Sequence, residues 1–124
     1  MIKSIIGIAF DCLDANQLAN FYVKLTGWTK EISTEQWAAL RTPEGILLVF
    51  QSVENYVAPV WPWTTSKPQQ QAHIDFYVED LSTTVNMALE NGAKKADIQY
   101  FEEDGAIVMF DPAGHPFCLS TVKQ

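Results

Sequence analysis

The sequence predicts an α+β fold built from two βαβββ modules, and three observations lead there. The stretch IIGIAFDCLD (Ile5–Asp14) is restated as QAHIDFYVED (Gln71–Asp80), with Asp14 matching Asp80, Phe10 matching Phe76, Ile8 matching Ile74, and Gly7 falling where His73 stands. The turn Thr42-Pro43-Glu44-Gly45 is echoed by Asp111-Pro112-Ala113-Gly114. Asp14 to Asp80 is 66 positions and Thr42 to Asp111 is 69, a spacing that marks one supersecondary unit present twice. Both halves also show the same order of patterns: a β-rich run, an amphipathic helix, then three short β-type runs.

In the first half, SIIGIAFD (Ser4–Asp11) is an apolar, β-rich run expected to be covered on both faces. Asp14 follows as an N-cap, with Gln17 in the capping-box position. Leu18, Phe21, Tyr22 and Leu25 recur at i, i+3, i+4 and i+7, one helical face, and Gly27 ends the helix. Trp28–Ser33, Gln36–Thr42 and Ile46–Val53 then read as strands separated by turn signals at Thr34-Glu35 and Pro43-Glu44-Gly45.

The second half repeats the order. Ala72–Val78 is a strand, and Asp80 caps a helix carrying Leu81, Val85, Ala88 and Leu89 on one side and closing at Asn91-Gly92. Lys94–Tyr100, Gly105–Phe110 and Pro116–Val122 complete the set of strands. The chain is thus expected to form one domain over residues 1–124, with modules at 1–53 and 71–124 and a connector at 54–70. The connector's prolines (Pro59, Pro62, Pro68) argue against regular structure. Its aromatics Tyr56, Trp61 and Trp63 either cap the open end of the core or line a ligand site, since long loops of this kind are often functional.

Bulk properties exclude several function classes. A 48% hydrophobic, 19% charged composition is that of a folded globule rather than a disordered chain. Eight basic against fifteen acidic residues leave a net charge of −7 with the Lys and Arg scattered, which argues against nucleic acid and anionic membranes as partners and favours neutral or cationic ligands over anions. No apolar run approaches the about 18 residues that span a bilayer, and MIKSIIGIAF lacks the small-residue cleavage site of a signal peptide, so a cytoplasmic protein is expected. Two cysteines, Cys12 and Cys118, are then expected to be reduced. No GxGxxG, GxxxxGK[ST] or nucleophile-elbow string occurs.

The two modules, the aspartate-capped strand-to-helix signatures, the run FQSVENYVAPVWP (Phe50–Pro62), Pro68-Gln69-Gln70 before His73-Ile74-Asp75, and DPAGHPFCL (Asp111–Leu119) together resemble the glyoxalase-like proteins of the vicinal oxygen chelate superfamily. That resemblance covers nearly the whole chain. It implies a cupped eight-stranded sheet around an inter-module cleft where a small molecule binds. In metal-dependent members four ligands, usually His or Gln, Glu, His and Glu, come from the first and last strand of each module. Carried through the repeat, those positions are Gly7, Val49, His73 and Cys118.

Glycine and valine offer a metal nothing, and His73 with Cys118 falls short of the three protein ligands that catalytic zinc normally has, so neither metal nor cofactor is expected. Strand alternation adds Ala9, Asp11, Gln51, Asp75, Tyr77 and Ser120 to the cleft-facing set. Asp11, Gln51 and Asp75 are the donors from which a displaced site around His73 would be drawn, which leaves a metal-dependent lyase, isomerase or dioxygenase as the alternative reading. Otherwise His73 is either a satisfied strand histidine or a ligand anchor and acid/base group oriented by Asp75 or Asp11. A glyoxalase-type lyase or isomerase activity is left open.

His115 is expected to serve the turn, Cys12 to pack beneath the helix, and Cys118 to be a small hydrophobe without a partner that activates its thiol. Trp37, Tyr56, Trp61 and Trp63 supply flat apolar surfaces with few polar anchors, as small-molecule pockets tend to have. The expected ligand-binding set is therefore Asp11, Trp37, Gln51, Tyr56, Trp61, Trp63, His73, Asp75 and Cys118, with His73 the candidate catalytic residue. Open sheet edges, and the habit of the family it resembles, suggest a homodimer.

Overall fold

The computed structural model describes residues 1–62 and 68–123. The chain divides into two compact units, Met1–Tyr56 and Val57–Gln124. The first contains β1 (Gly7–Cys12), α1 (Ala15–Thr26), β2 (Thr29–Ser33), β3 (Trp37–Arg41) and β4 (Leu47–Ser52). The second contains β5 (Ile74–Tyr77), α2 (Leu81–Glu90), β6 (Lys94–Lys95), β7 (Ala106–Phe110) and β8 (Pro116–Ser120). Each unit is βαβββ, and the sheets have equivalent orders, β1-β4-β3-β2 and β5-β8-β7-β6, with the first strand parallel to the last. The α+β reading of two repeated modules is correct.

Local chemistry sets the element boundaries. The Asp14 carboxylate accepts from the Gln17 amide at 3.0 Å, and Asp80 does the same for Thr83 at 2.9 Å, so each helix starts where an aspartate satisfies an otherwise orphaned N–H. Gly27 closes α1 in the left-handed region (φ 74°), which costs glycine little. The helix buries Ala15, Leu18, Ala19, Phe21 and Tyr22 against the first sheet. Phe50 of β4 lies between the rings of Phe10 (6.3 Å) and Tyr22 (5.4 Å), and is 1% exposed. Truncating it to Ala would cost about 3–5 kcal/mol.

The turns that feed the last strand of each unit repeat in atomic detail. Thr42 N–H donates to Ile46 C=O and Gly45 N–H to Thr42 C=O, while Asp111 N–H donates to His115 C=O and Gly114 N–H to Asp111 C=O, all at 2.8–2.9 Å. Gly45 and Gly114 both sit at positive φ, 91° and 86°. One position separates the two turns. The buried Asp111 carboxylate accepts from the amides of Ala113 (2.9 Å) and His115 (3.0 Å), whereas the buried Thr42 hydroxyl has no partner among the described residues. The Asp111 carboxylate thus ties the backbone of His115 into the turn.

One expected strand is cut short. In Lys94–Tyr100 only Lys94 and Lys95 are in strand register with β7, and the backbone ladder ends with Ala96 N–H donating to Val108 C=O at 3.0 Å, because the Gln99 side chain takes over from there: its amide donates to the carbonyls of Ala96 and Val108 and accepts from the Val108 N–H, at 2.8–2.9 Å. The chain can therefore leave the sheet early without stranding Val108's polar groups. The described ends of the connector carry some regular pairing despite its prolines, since Val60 bridges Gln69 and Val60 N–H bonds Pro68 C=O at 2.9 Å.

Candidate functional site

Strand alternation decides which side chains of the second unit face α2 and which face away. Phe76, Leu119 and Ile107 form one cross-strand row, and Asp75, Cys118 and Val108 the next, with opposite parity. The second parity opens onto a cavity of about 540 Å³. Asp75 and Tyr77 of β5, Cys118 and Ser120 of β8, Ala106 and Val108 of β7 line its floor, and Trp61 and Phe101 stand among its walls. Its described lining residues all belong to the second unit.

Polar groups in this cavity are few and close together. His73 Nε2 lies 3.2 Å from Asp75 Oδ1, with the imidazole 39% and the carboxylate 61% exposed. Cys118, directly across from Asp75, completes a cluster whose ligand atoms lie within 4.8 Å of one another. Burial, and secondarily the hydrogen bond to Asp75 and its negative charge, push the Cys118 thiol up to about 12, so it rests as a neutral donor. The side-chain carbonyl oxygen of Gln70, also on the cavity wall, is buried and has no hydrogen-bond partner among the described residues.

Trp61 touches both the core and the cavity. Its ring packs against Ala96, Val108 and Cys118, its indole N–H donates to Ile98 C=O at 3.2 Å, and another part of it lines the cavity. Tyr100 meets it edge-on at 6.1 Å, and Phe101 meets Tyr100 the same way at 6.3 Å. An aromatic wall pinned by a backbone hydrogen bond loses little entropy when a ligand arrives.

A family model of the glyoxalase-like domain matches residues 7–120, nearly the entire chain. The chain belongs to the glyoxalase-like domain family. It is thereby a vicinal oxygen chelate protein. A glyoxalase/bleomycin resistance protein/dioxygenase family enzyme from Burkholderia phytofirmans superposes with a TM-score of 0.72 at 15% identity, covering 94% of this chain and 97% of that one. The fosfomycin resistance protein FosX from Mesorhizobium loti gives 0.72 at 14%, covering 99% and 94%, and a glyoxalase-related enzyme from Fulvimarina pelagi 0.69 at 18%, covering 96% and 88%. At these identities the likeness shows the fold alone. No curated protein matches the sequence.

The four-ligand metal set of this superfamily does not fit the residues of this glyoxalase-like chain. Val49 carries no donor side chain, Gly7 has none at all, and a Cβ added there would crowd the Leu47 carbonyl oxygen at 3.1 Å. His73 and Cys118 hold the other two positions and come together with Asp75.

The remaining expected site residues separate by unit. Asp11, Gln51 and Trp37 are cross-strand neighbours in the first unit, on the opposite parity to Phe10, Phe50 and Ala38. Trp37 is 42% exposed rather than packed beneath α1. Tyr56 ends the first unit, half-buried, and Trp63 lies outside the described residues. Cys12 is buried with its thiol donating to Gln51 C=O at 3.5 Å. Sequence reasoning missed Phe101, Asp104 and Val122, which reach the cavity from a 3₁₀ turn and a strand end, where neither periodicity nor motif assigns a face.

Proposed function

We propose that this glyoxalase-like protein binds a small organic molecule in the second unit's cavity without a metal or cofactor, with His73 as polar anchor and, for a substrate with an acidic or basic atom in reach, as proton donor or acceptor. The observation that carries the reading is the cavity itself: about 540 Å³ with predominantly apolar and aromatic walls and a compact His73–Asp75 pair, a combination typical of small-molecule sites. Asp75, 3.2 Å from one ring nitrogen, is placed to orient the imidazole, which is the arrangement general acid/base work needs. A thermal-shift screen of metabolites and antibiotics, with and without chelator, tests it. Binding that survives chelation and weakens in His73→Ala supports the reading; a stoichiometric divalent ion whose removal abolishes binding overturns it.

A second reading rests on the convergence of His73, Asp75 and Cys118 within 4.8 Å, three donors around which a metal-dependent lyase, isomerase or dioxygenase could be built. The mixed donor set favours a borderline metal such as zinc. Retention of metal by wild-type protein and its loss in both His73→Ala and Asp75→Ala would favour this alternative.

Two further properties belong to the proposal. The protein is read as a cytoplasmic homodimer that binds neither nucleic acid nor membrane. The absence of a disulfide between Cys12 and Cys118 and the acidic charge support this, and no helix among the described residues is long and apolar enough to cross a membrane. Among the described residues the sheets end in strands with an unpaired side, and of these β1, β2 and β5 give a second copy places to pair. Light scattering at micromolar concentration should give twice the chain mass; a monomer mass would refute the dimer.

A further inference from the structure

We propose that the cavity selects organic cations, small amines or ammonium compounds carrying an apolar body, over neutral and anionic molecules of the same shape. This rests on the small-molecule reading above and names its ligand class. Three observations carry it.

First, the described lining residues include two carboxylates, Asp75 and Asp104, and no lysine or arginine. Asp75 is already shared with His73 and Cys118, but Asp104 forms no ion pair among the described residues. A carboxylate at the mouth of an apolar cavity gains more from an incoming cation than it would in open water, because the low-dielectric walls focus its field. An anion entering there would meet like charge from both carboxylates, with Lys123 at the rim as the nearby lysine.

Second, the walls are aromatic. Trp61, Tyr77 and Phe101 line the cavity, and ring faces attract cations through their quadrupole.

Third, the chain already places a cation against this wall. Lys123 holds its ammonium 5.6 Å from the centroid of Tyr77, within the range of a cation–π contact, and its neighbour Val122 is itself a lining residue. The terminal segment is anchored just before, by Val122 N–H donating to the Ser120 hydroxyl at 3.1 Å. Lys123 thus marks the rim of the site as one that accepts ammonium, and it acts as a resident competitor for a ligand's charge.

The test uses three probes of nearly one shape: 2-phenylethylamine, a cation at neutral pH, 2-phenylethanol, and phenylacetate. Binding to the full chain is followed by amide chemical shifts in nuclear magnetic resonance titrations at low salt. The amine should bind at least about tenfold more tightly than the alcohol, with phenylacetate weakest, and the gap should narrow as salt is raised. Asp104→Asn should weaken the amine severalfold while leaving the alcohol nearly unchanged. Lys123→Met should strengthen the amine.

Equal binding of amine and alcohol, or tighter binding of phenylacetate, would overturn the charge selection and leave the small-molecule cavity standing. No shift of cavity residues with any probe would sink both. Unchanged amine affinity in Asp104→Asn would also overturn the proposal, and because Asp104 is exposed, that variant is expected to fold.

Discussion

Replacing Asp75 by asparagine takes a negative charge away from a buried thiol, and the consequence can be worked out before the experiment. Cys118 sits directly across from Asp75, its thiol raised from 9.0 to about 12 by burial first and by Asp75 second. Only the thiolate reacts with iodoacetamide. At pH 8 a thiol of pKa 9 is about one-tenth ionised and one of pKa 12 about one ten-thousandth, so alkylation of Cys118 should run about 1,000-fold slower than that of a free peptide thiol from thiolate supply alone. Asp75→Asn removes the anion but not the burial, so the rate should rise severalfold and remain well below the free thiol. Mass spectrometry of digested protein separates Cys118 from the buried Cys12. The same shift has a stability consequence whose sign follows from linkage. A group with a raised folded-state pKa favours folding below its unfolded value, so this contribution is intact below about pH 9 and is lost as pH climbs from about 9 towards 12. Alkylation of wild-type Cys118 at the free-thiol rate, or a slower rate in Asp75→Asn, would refute the reasoning.

The repeated turns give a matched pair of opposite sign. Asp111→Ala should lower unfolding stability by about 2–4 kcal/mol in urea titrations, since it leaves two turn amides without their charged acceptor, while Thr42→Val at the equivalent place should be neutral or stabilising by up to about 1 kcal/mol. Gln99→Ala should cost about 1–3 kcal/mol and speed hydrogen exchange at the Val108 amide, whose partner it removes. A Gln99→Ala protein as stable as wild type, with Val108 still protected, would show that the amide side chain is not the ladder's substitute.

The repeat made the architecture legible because the same physics is written twice. Asp14 and Asp80 announce helix starts, and the Thr42 and Asp111 turns fix where each last strand begins; with those set, alternation gave Asp75 and Cys118 the same face, and the register then sets them side by side. What stayed illegible were features decided by tertiary contact. A glutamine at position 99 carries no signal that its side chain will stand in for backbone, so the run from Lys94 to Tyr100 read as a strand. The acidic 3₁₀ turn at Glu102–Asp104 reads as solvated surface, yet it delivers Asp104 to the cavity. Trp61 could not be assigned between core and pocket, since it touches both and a sequence does not say that one ring can do two things.

The way Gln99 closes the ladder also bears on what happens when many copies are crowded together. A full-length strand from Lys94 to Tyr100 would have shown the solvent a row of free amides and carbonyls on its far side, an invitation for a strand from another molecule to join. A side-chain amide satisfies Val108 yet has no outer edge to extend, and the two residues that do pair, Lys94 and Lys95, put positive charges where a neighbouring copy would have to dock the same two charges. On this flank the second sheet is therefore a dead end for cross-β growth.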